Sequence, residues 1–531
     1  MAIKIRKPDC LALLLIAVFL VAGLLALHQY GIVFDSPKNF DEGKTNLNFL
    51  LTRKTPPLMD QIMISFQIHG ALFFMAADGM ARIWNERFHL LGPIEARHLI
   101  LPVLSAFLAG WLYTFLKRYR GAGTALLAIA FFLTYPRFIG HTFNNIKDIP
   151  LLAFFSLALM SFYDWVKTGR WRNLYTFFAA LGATACIKSY AVIIPVILGI
   201  WFLLLTVRAW PAKDEHFRNA VLLRIKSMKF VLHCAAGAAL VLIMIALLYM
   251  PVIWGLPDVQ GYLASKWSFF KGIALREKPI WNIYSLTQIF YVTPVVMLAF
   301  AALGFVRVLL KRKKEALDLL WIVWFLVPVL LPCTPFFNVY GGIRLFFVFL
   351  IPFSVFTALG VLWLAGEAAK IFKTGKKYPA LVLSALLFGT NLAGIVSTHP
   401  YEDTFFNALA GGLKGAQTKG IPFAYDYWLS SYREAMRWIN ANAHPKAMVW
   451  TIHAEGLDLL DYYDLRKDLR RWYIVKLPLP SNSYVIFPEV PALPGFDAGR
   501  KTQLLRNLKT ATKVYRISRQ GAVILTIYYK P

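Results

Sequence analysis

Apolar runs close to the length of a membrane span recur along about three quarters of the chain, each bounded by short polar or charged stretches. They fall near 10–28, 98–116, 122–136, 149–165, 174–187, 190–207, 231–250, 288–310, 319–332, 345–365 and 380–396. A helix needs about 20 mostly apolar residues to cross the hydrocarbon layer, so the pattern predicts about eleven transmembrane helices, with the third, fifth and ninth the shortest. From about Ser397 the pattern becomes that of a water-soluble domain. There Tyr425-Asp426-Tyr427 followed by Ser431-Tyr432-Arg433-Glu434 reads as the start of a helix that runs to about Asn442, just before His444-Pro445. Met448–Ile452 and Ser483–Phe487 read as short strands, and Thr512–Ile517 and Ala522–Tyr529 as a hairpin joined through Arg519-Gln520-Gly521. The chain therefore reads as a mainly α polytopic membrane protein. It has a transmembrane part over 1–396, with a long first outer loop at 28–97, and a small α/β domain over 397–531.

Composition agrees and narrows the class. Of 531 residues, 58% are hydrophobic and only 16% charged, against about 25% in soluble domains; the mean hydropathy is +0.54. An ordinary soluble enzyme is excluded. A net charge of +29 could point to nucleic acid, but the cations sit in short clusters between apolar runs, as membrane loops require. Lys117-Arg118-Tyr119-Arg120, Lys167/Arg170/Arg172, Arg208 to Lys229, Lys311-Arg312-Lys313-Lys314 and Lys370 to Lys377 all fall on the face of the N-terminus, which the positive-inside rule makes cytoplasmic. An odd number of spans then puts the C-terminal domain outside, in the periplasm of a bacterium with the chain in its inner membrane. That domain carries 18 Lys/Arg and 11 Asp/Glu from Pro400 onward, a surplus of cations suited to an anionic membrane. At the N-terminus Lys4, Arg6 and Lys7 precede an apolar run from Cys10 to Leu27 with no small-x-small cleavage site after it, which reads as a retained first span. The four cysteines are scattered in or beside apolar segments without a CxxC pair, so no disulfide framework or zinc signature is present.

Among the outer loops, the first has a mixed apolar pattern (Ile62-Met63-Ile64, Leu72-Phe73-Phe74) that predicts helices lying on the membrane interface. The loop from Pro251 to about Thr287 carries Trp254, Trp267 and Trp281, aromatics suited to a headgroup belt.

Three outer-face clusters concentrate ionisable groups at the membrane edge, where such groups are costly and often functional. Gly31-Ile-Val-Phe-Asp35-Ser-Pro-Lys-Asn-Phe-Asp41-Glu42-Gly43 follows the first span. Asp35 there is either a base for an acceptor hydroxyl or a solvated acid at a helix cap. Pro136-Arg137-Phe-Ile-Gly-His141-Thr-Phe-Asn-Asn145-Ile-Lys147-Asp148-Ile-Pro150 places two cations, a histidine, two amides and an acid between apolar spans. Arg137 and Lys147 can hold a phosphate. Asp148 can orient a hydroxyl, pair with Lys147 or bind a divalent cation; the bland alternative is a polar turn with an internal ion pair, and His141 by itself reads as structural. Asn338-Val-Tyr340-Gly341-Gly342-Ile343-Arg344 opens the tenth span, where Arg344 calls for an anion or anchors on headgroups. Lys188, between spans five and six, has the same two readings.

Together the three clusters resemble motifs of the family 39-like, GT-C-fold glycosyltransferases, the group of the protein O-mannosyltransferases and the aminoarabinose transferases. "GIVFDSPKNFDEG", "PRFIGHTFNNIKDIP" and "NVYGGIRLFFVFLIP" are similar to their first-loop acidic, second-loop and late-span arginine motifs. "HPYEDTFFNALAGGLKGA" with "DYWLSSYREAMRWI" looks like the start of the outer domain in one bacterial subgroup. The resemblance implies an inverting transfer from a polyprenyl-phosphate-linked monosaccharide, such as one on undecaprenyl phosphate, to a hydroxyl of a glycolipid, protein or envelope polymer. It implies Asp35 as general base and Asp148 as the second acid. Lys147 and Arg137 would lie near the leaving phosphate, with Asn145, Arg344 and Lys188 completing the polar set. Where members of the family often carry a second acid directly after the first, this chain has Ser36, so Asp41 or Glu42 would have to substitute. A divalent cation is compatible with these carboxylates but is not required by them. A transporter or flippase of lipid-linked saccharides would use similar cationic pockets, but it calls for a chain of acids deep within the spans that is absent here. A non-catalytic assembly subunit with the same fold is the third reading.

Overall fold

The computed structural model describes residues 7–54, 69–206, 224–256, 258–274, 280–312, 314–335, 337–452, 454–473, 478–489 and 498–531. The Ile62-Met63-Ile64 stretch, Lys4 and Arg6, and most of the Arg208–Lys229 cluster lie outside these residues.

Each predicted span falls on a helix. Among the described residues, eight helices are long and apolar enough to cross a membrane. Ala122–Leu133 and Pro136–Thr142, bent by 64° at a two-residue break, add a ninth if counted as one span. At 15 residues each, Trp171–Ala185 and Val295–Leu309 fall short of that length. The chain is thus a multi-pass membrane protein, and the predicted span 288–310 is divided between Tyr284–Val292 and Val295–Leu309. Lys7–Ala26 and Lys377–Thr398 keep only a few buried residues and offer most of their surface to lipid. Asp148–Thr168 and Leu350–Ile371 are buried along most of their length at the centre of the bundle.

At the end of the bundle where the cationic clusters lie, carboxylates tie the helices together. Arg120 pairs with Glu315 and, at 2.5 Å, with Asp318, and Glu315 and Asp318 form the capping box that starts Ala316–Leu330. Arg118 and Tyr119 both bond to Asp164. Gly169, in the left-handed conformation, ends Asp148–Thr168 by donating its N–H to Trp165 O.

The C-terminal region is α/β, as its alternating pattern predicts. Strands β1 (Met448–Thr451), β2 (Arg470–Tyr473), β3 (Ser483–Pro488), β4 (Thr512–Arg519) and β5 (Ala522–Lys530) form one sheet in the order β2-β1-β3-β5-β4. β1 runs parallel to β2 and β3, and the hairpin partner β5 runs antiparallel to β3 and β4. The predicted helix is Tyr432–Asn442. Strand β2 escaped the sequence reading because its Arg-Arg-Trp-Tyr is exposed on both faces and shows no alternation.

Two loop readings change. The segment from Pro136 to Asp148 is no exposed polar turn: every residue in it is buried, and most of its first half forms a short helix bent back from the preceding span. Backbone at this depth needs protein around it to satisfy its polar groups. Gly140 lets it pack directly on the chain at 402–403, since a Cβ there would lie 2.4 Å from the Asp403 amide nitrogen. The second concerns Leu72-Phe73-Phe74. It belongs to the helix Leu72–Ala81, whose Phe73 and Phe74 are buried in protein rather than spread on an interface. Trp254, Trp267 and Trp281 are exposed, as a belt requires.

One contiguous buried core runs from span residues such as Leu101, Trp321 and Phe353 into the C-terminal region at Leu413, Tyr432 and Ile524. The join lies over the loop that follows the first helix. Arg433 donates to Tyr30 O at 2.8 Å and pairs with Glu95. The Ile32 amide donates to Tyr463 Oη at 2.7 Å, and the Phe34 amide to Trp428 O at 3.0 Å. Gly31 is required here because a side chain would strike Ser430 O. The stretch leading into Asp35 is therefore held by the C-terminal region.

Candidate active site

Asn145 organises the start of the buried helix Asp148–Thr168. Its Oδ1 accepts from the amides of Lys147 (3.2 Å) and Asp148 (2.8 Å), which the helix itself leaves unpaired. Pro150 fits the first turn because its missing N–H is needed there by nothing. Asn145 Nδ2 then donates to Asp148 Oδ2 at 2.9 Å. This local motif aims Lys147 and Asp148 in different directions.

Lys147 Nζ reaches Asp35 Oδ2 at 2.7 Å. Asp148 takes Lys188 Nζ at 2.9 Å on one oxygen and faces Arg344 at 3.7 Å on the other. Lys188 is placed by the turn after Trp171–Ala185, which is pinned by Gly70 N–H to Ile187 O and Leu72 N–H to Cys186 O. That contact needs glycine, as a Cβ on residue 70 would lie 1.9 Å from Cys186 O. Arg344 is aimed by the left-handed pair Gly341 and Gly342, donates from Nε to Gly341 O, and lies 4.1 Å over the Trp428 ring.

Residues 35, 147, 148, 188 and 344, from four distant stretches of sequence, so meet in one cluster. Three cations against two carboxylates leave a single net positive charge. Burying such a set is tolerable only because each carboxylate has close cationic partners. The two acids differ in access: Asp148 is fully buried, while the Asp35 side chain keeps 14% of its surface exposed. Burial raises the Asp35 carboxyl, but Lys147 and Arg344, with His69 beside them, outweigh it and hold the group below the ordinary carboxylate range. Burial and the nearby Lys147 and Lys188 push His69 well below its usual value.

The other sequence candidates lie elsewhere. Asp41 is exposed and accepts from Tyr462 of the C-terminal region at 3.2 Å, so it serves the join. Glu42 is fully buried on the opposite side of that helix turn, where the neighbouring Asn46 accepts from the Val252 amide. Arg137 takes part in neither ion pair. It is buried beneath the C-terminal region, with Nε donating to Phe405 O at 3.0 Å and its guanidinium 4.9 Å over Phe406. His141 is buried against Trp428 and Phe347, in keeping with a structural role. Among the described residues no group of His, Cys, Asp and Glu is arranged to hold a metal ion.

Ala185, at the end of the helix that precedes the Lys188 turn, helps line an apolar cavity of about 420 Å³ with Leu242, Ala246, Tyr249, Trp254 and Leu263. Its wall is tied to the His69 segment through Ala71 N–H to Tyr249 O.

Residues 88–225 match the family model for dolichyl-phosphate-mannose-protein mannosyltransferase. No curated protein matches the chain by sequence. In structure the chain is similar to ArnT from Cupriavidus metallidurans bound to undecaprenyl phosphate, at 13% identity over 97% of both chains and a TM-score of 0.51. The chain has the GT-C fold. The Archaeoglobus fulgidus oligosaccharyltransferase is also similar, at 11% identity, over 88% of this chain and 64% of that one, with a TM-score of 0.49.

Within this GT-C fold the sequence reading missed two contributors. Trp428 lies in the stretch quoted as the start of the outer domain, but nothing in it signals that its ring would carry Arg344. His69 stands alone in a long loop, with no spacing to mark it.

Proposed function

We propose that the chain is a membrane glycosyltransferase that moves a monosaccharide from a polyprenyl-phosphate carrier to an acceptor hydroxyl on the periplasmic face of a bacterial inner membrane, with inversion. The observation that carries this is the cluster of Lys147, Lys188 and Arg344 around Asp35 and Asp148, with its one surplus positive charge. A lipid-linked sugar phosphodiester carries one negative charge, so the pocket matches its donor. The apolar cavity at Ala185, three residues before Lys188, suits the isoprenoid chain. The family match over 88–225 and the likeness to a protein bound to undecaprenyl phosphate support the same donor class.

The difference in access divides the labour of the two acids. Asp148, sealed from solvent, holds Lys188 and Arg344 in place for the phosphate. Asp35, with an exposed edge, is the general base for the incoming hydroxyl. In the transfer the bond from the anomeric carbon to the phosphate oxygen breaks and its electron pair stays on the phosphate. The acceptor oxygen forms the new bond, and its proton passes to Asp35. Lys147 couples the steps. Paired with it, Asp35 is a weak base, but charge growing on the leaving phosphate draws the ammonium away and strengthens the carboxylate as it is needed. A positioned base of this kind contributes about 10²–10⁴-fold. The acceptor is a glycolipid, a secreted protein or an envelope polymer.

The test is a deletion strain complemented with wild type or Asp35→Asn, with envelope glycans read by mass spectrometry. The wild type restores a glycan that the variant, present in the membrane at equal level, does not. Unimpaired transfer by Asp35→Asn would remove the base assignment, and identical glycans with and without the gene would remove the transferase reading.

A further inference from the structure

Just beyond Arg344 lies a second set of buried polar groups that the ion-pair cluster does not use. Arg137 is fully buried, yet both terminal nitrogens of its guanidinium lack a hydrogen-bond partner. Gln288 is likewise fully buried; it donates to Pro422 O at 3.1 Å, while its Oε1 is unpartnered. The Tyr427 hydroxyl is buried and unpartnered as well, though the ring keeps a partly exposed edge. These atoms come from three distant segments, and an unpaired buried polar group is costly enough to call for a reason.

Two of them, Tyr427 and Gln288, flank Gly342. Its φ is +67°, and a Cβ there would lie 3.5 Å from the Tyr427 hydroxyl and 3.8 Å from Gln288 Oε1. Glycine at this position leaves both polar atoms within van der Waals reach of one point beside its backbone. Tyr427 lies within electrostatic range of both Arg344 and Arg137. The wall that brings Tyr427 and Trp428 here is held under strain: Phe423 (φ +63°) and Leu429 (φ +62°), both non-glycine, adopt the left-handed conformation on either side of them. Strain of this sort persists where the surrounding structure demands an unusual geometry, most often at ligand sites. Phe423 packs edge-on to Tyr427 with centroids 5.5 Å apart, and Trp428 lies beside it.

The chemistry of the set is specific. A forked donor, an amide acceptor and a hydroxyl that does both, framed by aromatic rings, suit a small ring bearing several hydroxyl groups. We propose that the space bounded by Arg137, Gln288, Gly342 and Tyr427 is the subsite for the monosaccharide of the lipid-linked donor, and that these side chains select the sugar by its hydroxyls. The inference rests on the glycosyltransferase reading and adds to it where sugar identity is decided. Arg344 links the two parts, facing the phosphate cluster through Asp148 and the sugar subsite through Trp428.

The experiment compares two lipids on the purified full-length protein. Equilibrium binding is measured for undecaprenyl phosphate and for a panel of undecaprenyl phosphates carrying glucose, mannose, galactose, N-acetylgalactosamine or arabinose. The wild type prefers one sugar-bearing lipid over the bare phosphate by about tenfold or more. Gln288→Ala and Tyr427→Phe, each losing about one hydrogen bond to the ring, bind the bare lipid within about twofold of wild type but lose most of that preference, near tenfold. Thermal melts accompany the variants, so that a folding defect shows as loss of both lipids. Equal loss of both, or full retention of the preference, overturns the subsite while leaving the transferase reading intact. A wild type that binds none of these lipids overturns the transferase reading itself, and the subsite with it.

Discussion

The Lys147 ammonium lies 2.7 Å from Asp35 Oδ2, joining the start of a central buried helix to the loop that follows the first one. The pair sets the pH behaviour of the proposed base. Burial works to raise Asp35, but Lys147, Arg344 and His69 lower it further. The carboxylate therefore stays charged until the pH falls below its ordinary value of about 4. The acid limb of a kcat/KM profile is expected below that point. In Lys147→Gln the largest opposing charge is gone and burial prevails, so the limb moves to higher pH. A profile that does not move on this substitution would show that Asp35 is not the titrating base.

Asp148 has no exposed surface and depends on its partners. Lys188→Ala removes one and leaves a buried charge short of compensation, a loss of about 3–5 kcal/mol in typical buried pairs. A clear fall in melting temperature is the expected result. Adding Asp148→Asn to Lys188→Ala removes the stranded charge and recovers part of the stability, without restoring transfer. Additive losses in this double-mutant cycle would mean that the two side chains are not coupled.

Gly70 is expected to be intolerant of any side chain. A Cβ there would lie 1.9 Å from Cys186 O, two residues before Lys188, whereas at Gly199 nothing lies within 4 Å. Gly70→Ala should cost about 1–3 kcal/mol as overpacking does, and should weaken donor binding by displacing Lys188. Gly199→Ala is the matched control and should be close to neutral in both measurements.

Asp403 provides a pH test of the join between the span bundle and the C-terminal region. Burial, with Asp426 as the main like charge and Glu402 adding to it, pushes its carboxyl up to about 8 against the pull of Arg137. The folded state thus prefers the protonated acid. This contribution to stability is complete below the ordinary carboxylate value of about 4 and is lost as the pH rises through about 8. Wild type should melt lower at pH 9 than at pH 6, and Asp403→Asn should narrow that difference. Melting curves of both proteins at the two pH values decide the matter; an unchanged difference would rule out Asp403 as its source.

Much of the protein is legible in one dimension. Apolar runs separated by cationic clusters place every span helix, because a helix in lipid must satisfy its own backbone and show apolar side chains over a length that hydropathy records. The hairpin and the helix Tyr432–Asn442 are local features and were equally visible. The motif around Asn145 is local too, and it aims Lys147 and Asp148 as a short-range device. Asp35, Lys188 and Arg344 stood out as ionisable groups at membrane edges.

What those groups do to one another depends on contacts between residues 40 to 196 positions apart, and no periodicity encodes them. Only the tertiary structure pairs Asp35 with Lys147, seals Asp148 between Lys188 and Arg344, and turns Asp41 toward Tyr462. It also buries the segment 136–148 and takes Arg137 away from the ion pairs to the underside of the C-terminal region. The sequence by itself determined where helices form and which charges stand at their ends, since those follow from local hydrogen bonding and partition into lipid. The fold decided which charges compensate one another and which buried polar atoms are left without a partner, since charge pairing in a low dielectric acts through space and pays no regard to distance along the chain.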